Sequence, residues 1–225
     1  MKRILAAAIA AALLLSGCTS ASRPAESAPP TEMPSPSPTP VVTPTPEPEP
    51  ADGELVLVRD YIPGIFIDLK YATTDNFTGQ VIYDSDEAYL RYGTVKKLLA
   101  AQNELSGRGL SLKIWDAYRP VSAQFKLWEI CPNPVYVSDP NNGYSKHSRA
   151  NTVDITLVTD TGKSIPMPSG FDDFTSLADR DYSDVSAEAA ENARLLENVM
   201  VENGFVPYSG EWWHYSDSVA YDVYG

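Results

Sequence analysis

Residues 145–158 read SKHSRANTVDITLV, and the core of the fold can be worked out from this stretch. Its second half, 152–158, is rich in β-branched residues and predicts a strand. Asp154 lies between Val153 and Ile155, and an acid in such apolar surroundings is costly unless it is paired or bound to a metal. The strand therefore contains either a metal ligand or an acid that bonds a backbone amide.

The segments around this strand predict a mixture of helices and strands. Further strands are predicted over 110–116 and 211–215, and helices over 90–105, 120–128 and 186–203. The short helix that follows Pro120 is expected to bury Val121, Phe125 and Trp128. Helices and strands do not alternate regularly, which argues against a doubly wound sheet. We predict a single α+β domain with a mostly antiparallel sheet and flanking helices.

Composition excludes several classes of function. The chain has 225 residues with 17 Lys+Arg against 30 Asp+Glu, a net charge of −13. This balance argues against nucleic-acid binding, because neutralising phosphates needs a basic patch, and against polybasic attachment to a membrane surface. Two cysteines exclude a disulfide scaffold and a Cys-rich zinc module. The sequence implies no protein partner.

The N-terminus predicts export. Residues 1–17 begin with Lys2 and Arg3, continue as an apolar run, and read as a signal peptide too short to span a bilayer as a mature helix. Leu-Ser-Gly-Cys at 15–18 resembles a bacterial lipobox, in which Cys18 carries the lipid; ordinary secretion with nearby cleavage is the alternative. Cys131 is then expected to be a buried or semi-buried free thiol.

A Pro-rich segment follows the signal. Residues 18–53 hold eleven of the nineteen prolines and few apolar residues, so they are expected to remain unpacked, as an extended spacer. The folded domain is then 54–225. The predicted location is the outer face of a bacterial membrane, to which only a lipid anchor attaches the protein.

Both histidines of the chain lie in polar or aromatic stretches beside acids. His147 precedes the strand that contains Asp154, and His214 follows Glu211 by three residues. Zinc hydrolases commonly use three protein ligands and leave the fourth position to water, and a nearby Glu can take the proton of that water. His214 could equally be a packed histidine and Glu211 a solvated turn residue, because the spacings are short and degenerate.

Arg119 lies at the end of a predicted strand, three residues after Asp116. Its guanidinium could pair with a substrate carboxylate or with a developing oxyanion. The alternative is a surface ion pair with Asp116, which would contribute little to stability. The residues alone do not choose between these two interpretations.

Several segments, taken together in this order, resemble one known family: 68–73 (DLKYAT), 76–79 (NFTG), 115–120 (WDAYRP), 145–154, 167–172 and 211–215 (EWWHY). The chain resembles the D-alanyl-D-alanine dipeptidases of the VanX type, within the zinc D,D-peptidase group that also holds the VanY-type carboxypeptidases. The resemblance covers nearly all of 54–225, and the first two segments favour the dipeptidase branch.

The resemblance implies the chemistry of five residues. His147, Asp154 and His214 would bind one Zn²⁺ per domain. Glu211 would act as general base and then as acid toward the leaving amine. Arg119 would stabilise the tetrahedral intermediate.

The resemblance also implies a substrate site. Asp172 would hold the substrate ammonium, and Ser145 and Tyr71 would form the substrate wall. Where the family has Gly after the His-Ser-Arg segment, this chain has Ala150, so we expect ordinary backbone angles there.

The implied function is hydrolysis of D-Ala-D-Ala on the cell-wall side of the membrane. One alternative is a D,D-carboxypeptidase that trims peptidoglycan stem peptides, and another is a non-catalytic module that binds wall peptides. A dipeptidase needs an acid such as Asp172 and a closed pocket at the amine end, whereas a carboxypeptidase needs an open groove. A non-catalytic module would be expected to have lost a ligand or the base, and none is lost here.

Overall fold

The computed structural model describes residues 48–225. The predicted signal peptide, Cys18 and the spacer up to residue 47 therefore lie outside the described residues. Within the described range, no helix is both long and apolar enough to cross a bilayer.

The described part of the chain contains seven strands and four α-helices, which range from two to sixteen residues in length. The strands are β1 Leu55–Leu57, β2 Phe66–Ile67, β3 Tyr89–Arg91, β4 Leu110–Asp116, β5 Thr152–Thr159, β6 Phe205–Tyr208 and β7 Glu211–Asp217. The α-helices are α1 Val58–Tyr61, α2 Tyr92–Ser106, α3 Val121–Ile130 and α4 Ala187–Glu202.

Five of these strands form the main sheet, in the order β2-β4-β5-β7-β6. Only β2 runs parallel to its neighbour; the β4–β5, β5–β7 and β7–β6 pairs are antiparallel. Strands β1 and β3 form a separate antiparallel pair. The predicted α+β domain with a mostly antiparallel sheet is confirmed.

Two long helices supply much of the core. Helices α2 and α4 contact each other and pack on strands of the main sheet, so they lie on the same face. The Ser186 hydroxyl accepts a hydrogen bond from the Ala189 amide and caps α4, as its sequence predicts. Gly204, with a φ of +86°, follows the end of the helix in a conformation that favours glycine. The predicted helix over 186–203 is therefore confirmed.

Two details of the helix predictions are wrong. Leu90 belongs to β3 and not to the helix that follows it. Helix α3 buries Ala123, Gln124 and Leu127, whereas Phe125 of the predicted apolar side is 39% exposed. The helix is turned in this way because Gln124 is drawn inward by polar partners described below. Cys131, at the end of α3, is a half-buried free thiol.

Candidate active site

Three acidic or imidazole side chains come from one row across the middle of the sheet. In the register of β4, β5 and β7, Asp116 pairs with Asp154, and Asp154 pairs with His214. Val153 and Ile155 are part of the apolar core, so alternation directs Asp154 to the opposite face. Strand pairing therefore places these three side chains side by side.

His147 reaches this row from the short 3-10 turn Lys146–Arg149 that precedes β5. Its Nδ1 donates a hydrogen bond to the Ala117 carbonyl oxygen at 2.9 Å. Because a carbonyl can only accept, this bond leaves the Nε2 lone pair available to a ligand. The Ser145 hydroxyl accepts from the His147 amide and begins the turn. Ser145, predicted to line the substrate wall, is largely buried and lines a cavity together with Glu211 and His214.

The donor atoms of His147, Asp154 and His214 all lie within 4.8 Å of one another. His147 Nε2 is 3.3 Å from Asp154 Oδ2 and 3.4 Å from His214 Nδ1. His214 Nδ1 is 2.9 Å from Asp154 Oδ1. A tetrahedral zinc site with bonds of about 2.0–2.1 Å has donor–donor separations of about 3.3 Å, so these three separations fit zinc.

The charges within this cluster also suit a cation. Burial raises the pKa of Asp154, but the His147 and His214 imidazoles outweigh it and hold the pKa well below its usual value. Burial lowers the pKa of His147, and the Asp154 and Asp116 carboxylates outweigh this effect and raise it. The buried Asp154 is therefore ionised, which is the state in which a carboxylate binds a metal.

Glu211 lies at the open side of the cluster, with Oε2 3.5 Å from His214 Nδ1 and its side chain 34% exposed. In a regular strand, residues three apart point to opposite faces. Here the β6–β7 register shifts between Pro207 and Tyr208, and this bulge allows Glu211 and His214 to meet. Burial and the nearby Asp154 raise the pKa of Glu211, as suits a group that accepts and returns a proton.

Arg119 is not part of a surface pair with Asp116, and that alternative is wrong. Asp116 is fully buried and Arg119 is only 9% exposed, with Nη2 donating to Asp116 Oδ2 at 2.6 Å. Arg119 also donates from Nη1 to Gln124 and from Nε to Tyr83. The Tyr83 hydroxyl donates in turn to Asp116 at 2.5 Å. A buried network thus fixes the guanidinium beside His147.

Asp172 lies in a loop and adopts a φ of +53°, which is costly for a non-glycine residue. Its carboxylate accepts a hydrogen bond from the Tyr71 hydroxyl at 2.8 Å. Burial raises the pKa of Asp172 to about 8, and the charge of Asp154 adds to this effect. The Arg119 guanidinium lies 5.0 Å from the centre of the Tyr71 ring, so Asp172 and Tyr71 adjoin the Arg119 network.

A row of aromatic rings runs from Tyr71, beside Asp172, to the cavity at the open side of the cluster, which is called the mouth. The ring of Tyr71 lies 6.4 Å from Phe77, Phe77 lies 5.4 Å from Phe174, and Phe174 lies 4.6 Å from Tyr136. Tyr136 lines a cavity of about 260 Å³ together with Glu211 and other residues of the mouth. The row therefore extends from Asp172 and Tyr71 to the open side of the cluster.

Ala150 departs from the expectation of ordinary backbone angles. It has φ 58° and ψ 28°, which is the left-handed conformation, and its amide donates to the His147 carbonyl. This position ends the 3-10 turn in the way that a glycine commonly ends a helix, so the backbone keeps the glycine geometry despite the Cβ. Ala150 is fully buried, so the surrounding structure holds the strained residue in place.

Three members of the buried network around Arg119 were not predicted from the sequence, namely Asp116, Tyr83 and Gln124. Asp116 was considered there only as the partner of a surface ion pair. A signal existed for Asp116, because it ends a largely apolar strand and lies three residues before Arg119. No signal marks Tyr83 or Gln124, since their roles depend on contacts across 33 and 5 residues of sequence.

A candidate metal site with a neighbouring carboxylate and a fixed guanidinium, on an α+β domain, is an arrangement that suits a hydrolase. The chain belongs to the D-ala-D-ala dipeptidase family, whose profile matches residues 51–222. The resemblance stated from the sequence is thereby confirmed.

Individual relatives agree with the family profile. A D-alanyl-D-alanine dipeptidase of Escherichia coli is 39% identical over 162 residues, which are 72% of this chain and 83% of the relative. Its counterpart in Enterococcus faecium is 35% identical and covers 69% of this chain and 87% of its own length. The one in Streptomyces coelicolor is 36% identical, with 73% and 91% covered.

Solved structures are similar at lower identity. VanYB in complex with D-Alanine-D-Alanine matches with a TM-score of 0.41 and 17% identity, over 60% of this chain and 75% of that chain. A VanY D,D-pentapeptidase in complex with Zn(II) matches with a TM-score of 0.40 and 15% identity, over 60% and 76%.

Proposed function

We propose that this chain is a zinc-dependent D-alanyl-D-alanine dipeptidase. The observation that carries the proposal is the buried donor cluster of His147, Asp154 and His214, with Glu211 at its open side. Membership of the D-ala-D-ala dipeptidase family supports the substrate class. The four residues to which the resemblance gives roles in metal binding and proton transfer lie close together.

The proposed mechanism assigns one task to each group. When bound, zinc supplies Lewis acidity that polarises the scissile carbonyl and acidifies the attacking water. Glu211 accepts the proton of that water and returns it to the leaving amine. Arg119 stabilises the negative charge that develops on the carbonyl oxygen, from a position that the Asp116 carboxylate and Gln124 hold fixed.

Asp172 is assigned to the ammonium of the substrate. An ammonium beside the carboxyl favours its ionised form, so binding the substrate would lower the pKa of Asp172 from about 8. The end of the aromatic row formed by Tyr71 and Phe77 stands beside this acid and is proposed as the wall that closes the amine end. These two features favour the dipeptidase over the carboxypeptidase.

The metal assignment predicts that His147→Ala protein loses zinc. One of three buried donors disappears, and the two that remain cannot complete the site. Elemental analysis of the purified variant is expected to show zinc largely absent while the native protein holds one ion per chain. Because His147 is buried, circular dichroism should accompany the measurement to establish that the variant folds.

A variant that folds and retains a full equivalent of zinc would contradict the assignment. His147→Gln offers a second form of the test with less change in volume. It should show the same loss of zinc with a smaller effect on the melting temperature.

The dipeptide assignment predicts selectivity at the amine end. D-Ala-D-Ala carries a free ammonium for Asp172, whereas N-acetyl-D-Ala-D-Ala carries none and adds bulk against the aromatic row. We expect release of D-alanine from the free dipeptide and at least tenfold slower release from the acetylated one, since an unmade charged pair costs about one factor of ten or more. Equal rates would support the D,D-carboxypeptidase instead.

We also propose that the enzyme works on the cell-wall side of the membrane, held there by lipid on Cys18. The signal-like 1–17 segment and the lipobox-like residues before Cys18 support this location. The dipeptide would then come from the wall, or the substrate would be the D-Ala-D-Ala end of a stem peptide. Labelling with a palmitate analogue, compared with Cys18→Ser, tests the anchor.

A further inference from the structure

A lysine lies at the mouth of the candidate active site without an assigned role. The cavity of about 260 Å³ is lined by Lys146 together with Ser145, Tyr208, Glu211 and His214. Lys146 is exposed, and its Nζ lies 5.9 Å from the centre of the Tyr208 ring. Among residues 48–225, no carboxylate forms an ion pair with this ammonium group.

The other cation of the site is already engaged. Arg119 donates to the buried Asp116 carboxylate, and its remaining hydrogen bonds go to Gln124 and Tyr83. Asp116 therefore balances the charge of Arg119 within the buried network. Among the side chains that line the mouth cavity, Lys146 is the one with a positive charge.

The proposed substrate has a charge at each end and needs partners for both. Asp172 accounts for the ammonium. The carboxylate belongs to the leaving D-alanine, two bonds away from the nitrogen that receives the proton of Glu211. The leaving residue must therefore lie on the side of Glu211, which is the side of the cavity that contains Lys146.

We propose that Lys146 binds the free carboxylate of the substrate and makes the enzyme selective for peptides with a free C-terminus. This inference rests on the proposed function and adds the recognition of the C-terminal end. It applies equally to a free dipeptide and to a stem peptide, because both end in the same carboxylate. A lysine suits the position, since it is a compact charge on a flexible stem that can follow the leaving product.

The test compares D-Ala-D-Ala with D-alanyl-D-alaninamide, in which the carboxylate is a neutral amide. Native enzyme is expected to prefer the acid. In Lys146→Gln, kcat/KM for the acid should fall roughly ten- to a hundredfold, mainly through KM, because a charge-assisted hydrogen bond is lost. The amide should be cleaved as before, and Lys146→Arg should restore most of the preference for the acid.

A matched control is Lys163→Gln. Lys163 is exposed and lies in the turn that follows β5, outside the cavity. Its substitution should leave both substrates unchanged. An acid-to-amide ratio that is unaltered in Lys146→Gln would overturn the inference, as would equal losses on both substrates.

A binding measurement separates this inference from the proposed function. Calorimetry of Glu211→Gln protein, whose turnover is expected to be strongly reduced, gives the acid-to-amide ratio of binding for D-Ala-D-Ala and its amide, with and without Lys146→Gln. If native protein binds the acid through Lys146 but cleaves neither substrate, the carboxylate site stands and the dipeptidase proposal fails. If native protein cleaves the dipeptide but the acid-to-amide ratio is the same in Lys146→Gln, the dipeptidase proposal stands and the carboxylate site at Lys146 fails. Protein that neither binds nor cleaves contradicts both.

Discussion

Glu211→Gln protein is expected to bind zinc as the native protein does and to turn over D-Ala-D-Ala more slowly by a factor of about 10² to 10⁴. Glutamine has nearly the shape of glutamate and can hold a water by hydrogen bonding, but it cannot accept a proton. The Glu211 side chain is 34% exposed at the open side of the cluster, so it contributes little to the core. The melting temperature should therefore be close to that of the native enzyme.

The measurement combines steady-state kinetics, zinc content and thermal denaturation. Glu191→Gln is the matched control, because Glu191 is an exposed residue of α4 and its substitution should alter none of the three. Loss of zinc together with activity would mean that Glu211 is a fourth ligand. Full activity would mean that another acid transfers the proton, and Asp172 would be the next residue to test.

Arg119→Ala is expected to lower the rate by a factor on the order of 10² or more, because a cation fixed near the developing oxyanion is removed. The structure adds a second effect that the sequence did not suggest. Arg119 and Asp116 form a buried pair, and removing one partner leaves an uncompensated charge. The free energy of unfolding should therefore fall by about 3–5 kcal/mol.

Two further variants separate catalysis from folding. Arg119→Leu combined with Asp116→Asn removes both charges, so stability should recover in part while the rate stays low. Arg108→Ala is the matched control, because Arg108 forms an exposed pair with Glu104 on α2 and its loss should change stability by less than about 1 kcal/mol. A double variant that regains the native rate would assign Arg119 a purely structural role.

The strands of the site were predictable because their patterns are local. Residues 110–116 and 152–158 alternate or are β-branched, and both form strands close to these bounds. The row of Asp116, Asp154 and His214 was not predictable, because it depends on the register between strands far apart in sequence. The bulge that brings Glu211 beside His214 likewise leaves no mark in the spacing of the residues.

Local sequence pattern gives the wrong prediction where polar contacts in the folded domain outweigh it. Hydrophobic spacing predicts that Phe125 faces inward on α3. In the structure Gln124 faces inward instead, because its side chain forms hydrogen bonds with Arg119 and with the Ser138 carbonyl. Likewise the Arg119–Asp116 spacing of three residues suits a surface pair, and only the tertiary structure shows that both groups are buried. The resemblance named candidate site residues but not the buried network around Arg119.

The location of each group within the fold has a consequence for how substrate range can diversify. Asp154 and His214 are carried by central, paired strands, which open only when the domain unfolds. Asp172 lies in a loop, and Lys146 begins a short turn at the surface. Selection or directed evolution can therefore exchange the two residues proposed to meet the ends of the peptide while the candidate metal site is kept unchanged.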